Sequence, residues 1–134
     1  MAAYRDLAAA RPGQFLPLLA KALTDQATAL SWAGRDDDAL ASAREAERIY
    51  DDTSAWRQRP DDAAAAWLCE GLILARLSRH RDAARSLARA WQIPGQCDRP
   101  QPDFLKQAMT ALHRAYQDRF TSAWRAETGT DPPL

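Results

Sequence analysis

The sequence predicts an all-α fold, and three observations predict it. Of 134 residues, 29 are alanine, none is valine and only three are isoleucine. Strands draw on β-branched side chains to fill a pleated face, so little material is left for a sheet, whereas alanine and leucine favour closely packed helices. Apolar residues recur at steps of three and four, the period of a helix with one buried face. Strong breakers then cut the chain into helix-length pieces. The length suits one compact domain.

Each element follows from that punctuation. Met1 to Arg11 forms a short helical piece stopped by Pro12-Gly13. A long segment from about Leu16 to Ala33 follows, with Pro17 expected in its first turn, where a missing N–H is harmless. Gly34 closes it as a left-handed cap. Asp36, Asp37 and Asp38 open the next helix at the positive end of its dipole. Its apolar stripe is Ala39, Leu40, Ala43, Ala46, Ile49 and Tyr50. Pro60-Asp61-Asp62 restarts the chain as a helix to about Leu77. A turn over Ser78 to Arg81 leads to another helix, about Asp82 to Ile93, which Pro94-Gly95 is expected to end. After a Pro- and Gln-rich loop, one long helix is expected from about Asp103 to Glu127, followed by the tail 128–134.

Charge narrows the function classes. The 18 basic and 18 acidic residues cancel, which removes the chain-wide basicity of a nucleic-acid binder. No apolar run approaches the ~20 residues of a membrane span, and Met1 to Ala10 is too polar for a secretory signal. Cys69 and Cys97 show no metal or redox spacing and read as free thiols in a reducing compartment. A cytoplasmic protein with neither membrane nor nucleic-acid partner is therefore expected. Charge is segregated nonetheless: residues 36–62 hold nine acids against four bases, and residues 76–99 hold six arginines against Asp82 and Asp98. Arg81, Arg85 and Arg89 fall on one helix face, a basic contact face able to track phosphates or meet the acidic segment of another copy.

No catalytic constellation emerges. His80 and His113 have no second ligand at metal spacing, the five glycines form no phosphate loop, and Cys69 lies in an apolar stretch that makes a thiol inert. No enzyme activity, cofactor or metal is expected. Of the five tryptophans, Trp67 and Trp91 read as core, whereas Trp32, Trp56 and Trp124 fit either partial burial or a contact surface.

Laying Ala39 over Ala83 brings the chain into register with itself at an offset of 44. Arg35 meets Arg79, Asp38 meets Asp82, Leu23 meets Trp67, Ala27 meets Gly71, Leu30 meets Leu74 and Ala46 meets Ala90. This alternation of large and small positions over two helices resembles the tetratricopeptide repeat. Trp67, Gly71, Leu74, Ala83, Leu87 and Ala90 match the pattern in order, as do Leu23, Ala27, Leu30, Gly34, Ala39, Ala43 and Ala46. The period exceeds the family's ~34 residues and is similar to stretched repeats in large actinobacterial signalling and regulatory proteins. The resemblance implies a short α-solenoid: 1–11 as the stump of a preceding helix, repeat units 14–56 and 61–94, and a capping helix 102–127. It implies a groove lined by Lys21, Thr24, Thr28, Ser31 and Trp32 in one unit and Ala65, Leu68, Leu72, Ala75 and Arg76 in the next. The family's clamp for a peptide carboxylate wants asparagines where Thr28 and Leu72 stand, so an apolar or amphipathic helix suits the groove better. The expected role is a protein–protein interaction module for a peptide or helix of a partner. A regulatory sensor binding a small molecule or peptide, and a self-associating homo-oligomer, are the alternatives.

Overall fold

The computed structural model describes residues 2–134, and among these no strand forms. The chain builds α1 (Ala2–Ala10), α2 (Pro12–Trp32), α3 (Asp36–Asp52), a 3₁₀ turn at Ala55–Arg57, α4 (Pro60–Arg76), α5 (His80–Gln96), α6 (Asp103–Tyr116) and α7 (Asp118–Thr128). Among the described residues no helix is long and apolar enough to cross a membrane. None of α2 to α7 carries a side-chain cap hydrogen bond. Aspartates in the first turns of α3 to α7 complement the dipoles instead.

The turns after α2 and α4 share one geometry. Gly34 and Ser78 take left-handed φ angles of 78° and 63°. The next amide folds back onto the helix, Arg35 to the Leu30 carbonyl and Arg79 to that of Leu74, both at 2.9 Å. Arg35 then pairs with Asp38 and Arg79 with Asp82. Helices α3 and α5 have 17 residues each and begin 44 positions apart. Ser54 and Asp98, just beyond their ends, are left-handed too, at 57° and 56°.

Small residues set the interhelical distances. Ala39, Ala43 and Ala46 of α3 are fully buried, as are Ala63, Ala64 and Ala66 of α4, and α3 packs against both α2 and α4. At Gly71 an added Cβ would stand 2.6 Å from Leu87 Cγ, so α4 and α5 touch where only glycine fits. The largest fully buried side chains, among them Tyr50, Leu23, Ile73, Leu74, Leu87 and Ile93, fill the space between. Helix α1 packs on α2 through buried Ala8, and its Arg5 pairs with Glu45 of α3 at 2.6 Å.

Three elements depart from the sequence expectation. Helix α2 starts at Pro12, so Pro17 lies beyond its first turn and its ring faces the carbonyl of Gly13, four residues back. Helix α5 runs through Pro94 to Gln96, because a proline in the last turn removes a single rung. The predicted long C-terminal helix is broken at Gln117, which adopts φ 45° and ψ −115°. No proline or glycine lies between Asp103 and Thr128, so tertiary contacts make the break. It turns α7 onto α5, burying Phe120 and Trp124. Burying such side chains contributes about 1.5–3 kcal/mol apiece, against about 1–3 kcal/mol for the strained backbone. Burial wins.

Candidate functional site

A concavity of about 490 Å³ lies between α2 and α4. Helix α2 supplies Thr24, Asp25, Thr28, Ser31 and Trp32, and α4 supplies Ala65, Leu68, Cys69, Leu72, Ile73 and Arg76. The hydroxyls of the α2 face are partly answered within the helix. Thr24 donates its hydroxyl to the Ala20 carbonyl at 3.0 Å and Thr28 to that of Thr24 at 3.1 Å. The α4 face is aliphatic, with buried Ile73 as its floor. Burial pushes the Cys69 thiol above its ordinary pKa, and Thr28 lies 3.8 Å from its sulfur. This is a packing thiol rather than a nucleophile.

The lips differ from the floor. Trp32 is 87% exposed at the end of α2, and Leu72 is 41% exposed on α4. A bare indole next to an aliphatic side chain costs hydration free energy that an occupant would recover. Arg76 closes one end: it donates to Ser31 Oγ at 2.7 Å and pairs with Asp36 at the start of α3. Its charge is therefore largely answered within the chain. Toward the other end Lys21 pairs with Asp25 at 3.8 Å.

The structure brings together Thr24, Thr28, Ser31, Trp32, Ala65, Leu68, Leu72 and Arg76 of the sequence-predicted groove. Lys21 and Ala75 are not part of the lining, Lys21 turning to Asp25 and Ala75 being buried. Asp25, Cys69 and Ile73 complete it. The last two follow Ala65 at steps of four, a signal present in the sequence as one continued stripe of α4.

The arginine row meets partners of its own chain. Arg81 and Arg85 both bind Glu127 of α7, at 3.0 and 3.2 Å, and these guanidiniums, Arg81 foremost, hold the Glu127 carboxyl below its ordinary pKa. Arg89 pairs with Asp51 at 3.2 Å and stacks over both Trp56 and Trp67 at 5.2 Å. Arg81 and Arg85 stay exposed while making these bridges, and Arg89 is the more covered of the three.

A carboxyl cluster joins α3, α4 and α5. Glu70, only 8% exposed, accepts from Arg44 Nε at 2.9 Å and from the Ser86 hydroxyl. Burial, and then the neighbouring charge of Glu70, push the Glu47 carboxyl up to about 9. Among the described residues the hydrogen-bond partners of Glu70 are Arg44 and Ser86, not a histidine. His80 instead stacks edge-on with Tyr116 at 5.1 Å and His113 with Phe120 at 6.3 Å. Among the described residues no three His, Cys, Asp or Glu side chains form a group able to hold a metal. Compared with known proteins, the chain matches no family model, no curated protein and no solved structure.

Proposed function

We propose that the chain is a non-catalytic helical-repeat module of the tetratricopeptide type, acting in the cytoplasm as part of a larger signalling or regulatory protein. Its α2–α4 groove takes a short apolar or amphipathic segment, peptide or helix, of a partner protein. One observation carries this reading: an aliphatic trough whose lips are an exposed tryptophan and an exposed leucine. Such a surface gains by covering its apolar area and has few unanswered charges for a polar ligand to meet. The repeat reading is supported by the shared turns at Gly34 and Ser78, the left-handed Ser54 and Asp98, and the paired Arg35–Asp38 and Arg79–Asp82 bridges. In each comparison the positions differ by 44.

A randomised peptide library selected against the whole chain tests the proposal. Apolar or amphipathic sequences should emerge, and Leu72→Asp should weaken their binding at least about tenfold, the scale of one misplaced charge on an apolar contact, with helicity by circular dichroism unchanged. Selection of nothing, or binding indifferent to Leu72→Asp, refutes it. A second reading, a regulatory sensor for a small apolar ligand, draws on the groove's volume, which lies in the range of small-molecule sites. Saturable thermal stabilisation by such a ligand supports that reading.

A further inference from the structure

The break at Gln117 is unlike the other turns of this chain. Gln117 is at once the last cap of α6 and the first of α7: its amide donates to the His113 carbonyl at 2.8 Å, and its own carbonyl accepts from Thr121 at 3.1 Å. One residue therefore turns the chain. Its φ of 45° and ψ of −115° belong to a region that glycine occupies freely and a side-chain-bearing residue does not. The amides of Asp118, Arg119 and Phe120 lose the carbonyls of Arg114, Ala115 and Tyr116 that a continuous helix would give them, and no side chain caps either end. Asp118 in the first turn of α7 is the one local signal for the bend, since every residue from Asp103 to Thr128 is compatible with a helix.

What holds α7 down is its contact with α5. Phe120 and Trp124 are buried, and Glu127 bridges Arg81 and Arg85. Every one of those groups would be met equally well on the α5 of a second copy. If Gln117 returned to helical angles, α6 and α7 would join into one helix of 26 residues, Asp103 to Thr128, about 39 Å long. Its last turns would then overshoot their own α5 and carry Phe120, Trp124 and Glu127 outward.

We propose that two copies of the chain exchange α7, each laying it across the other's α5, to form a symmetric swapped dimer. The α5 contacts and the Glu127 bridges recur in the dimer and cancel, while the packing of Phe120 on His113 of α6 is given up. The hinge decides: exchange relieves one strained residue and restores the missing helical rungs in each chain, against the entropy of association. A second copy is the natural occupant because the exposed α5 face is shaped and charged for this α7.

Residue 117 and the Glu127 bridges provide the test, read by light scattering after gel filtration over a range of concentrations. The wild type should pass from 14.9 kDa to twice that mass as concentration rises. Gln117→Gly, which removes the strain and disfavours the straight helix, should stay monomeric. Gln117→Ile, whose branched side chain tolerates a positive φ least, should dimerise more readily. The dissociation constants of these two variants should differ by at least about a hundredfold, two hinges at tenfold or more each. Glu127→Arg and the double variant Arg81→Glu/Arg85→Glu each repel their own α7. Mixed together they should form a heterodimer, because both exchanged contacts then pair opposite charges. A chain that stays monomeric with isoleucine at 117, a dimer indifferent to residue 117, or no heterodimer on mixing overturns the proposal.

Discussion

The region from α2 to α5 and the region from α6 to α7 are both helical, yet they are held in opposite ways. In the first, local signals and tertiary packing agree. Gly34 supplies the left-handed cap, aspartates open α3 to α5, and alanines stand where the helices approach. In the second, packing overrides the local preference: Gln117 bends where no breaker stands, and the bend persists because Phe120 and Trp124 find cover. The comparison shows that a helix boundary can be dictated by a contact made several residues later. A boundary of that kind is also the one most open to rearrangement.

Three changes break or sharpen that contrast. Trp124→Ala removes the anchor of α7 and should cost about 3–5 kcal/mol of its docking, the range for a buried aromatic truncated to alanine. Native-state hydrogen exchange should show protection lost in α7 while amides of α3 to α5 keep theirs. Uniform loss along the chain would mean that the two regions are one cooperative unit. Gly71→Ala attacks the other region at its closest approach, where the new methyl meets Leu87. A loss of about 1–3 kcal/mol is expected in urea unfolding, with the α4–α5 amides losing protection first.

The third change concerns the carboxyl cluster between α3, α4 and α5, and its effect depends on pH. With Glu47 raised from 4.5 to about 9, the folded chain keeps a proton there that the unfolded chain releases. Its contribution is fully present below pH 4.5 and is lost as the pH rises toward 9. Glu47→Gln should therefore leave stability at pH 4 nearly unchanged and raise it at pH 8, where the wild-type carboxyl has given up most of that contribution. Denaturant melts at the two pH values measure this, and an equal effect at both would place the cause in packing rather than charge.

Legibility followed the same division. The helices from α2 to α5 could be read from breakers and periodicity, because there each residue's local preference coincides with its place in the fold, whereas the groove positions rested on the resemblance to the tetratricopeptide repeat. The floor residues Cys69 and Ile73 fall outside the family offsets and follow instead from the α4 stripe continued by fours from Ala65. Pro94 read as a terminator, although a proline in a last turn displaces one rung alone. The bend at Gln117 carries no proline or glycine, and Asp118 alone marks the start of α7. The arginine row was visible as a row, but its partners were not: Glu127 lies 46 residues from Arg81, and the stacking of Arg89 between Trp56 and Trp67 depends on how the 3₁₀ turn lies against α5.

The bareness of Trp32 gives the molecule an optical gauge. Trp67 and Trp124 are enclosed, and Trp56 and Trp91 are half covered, so the red, quencher-accessible edge of the emission belongs mainly to the single indole on the lip. Iodide should extinguish that component first. Anything that settles against the lip should shift it to the blue and shield it, which lets a fluorimeter follow occupancy with no label attached.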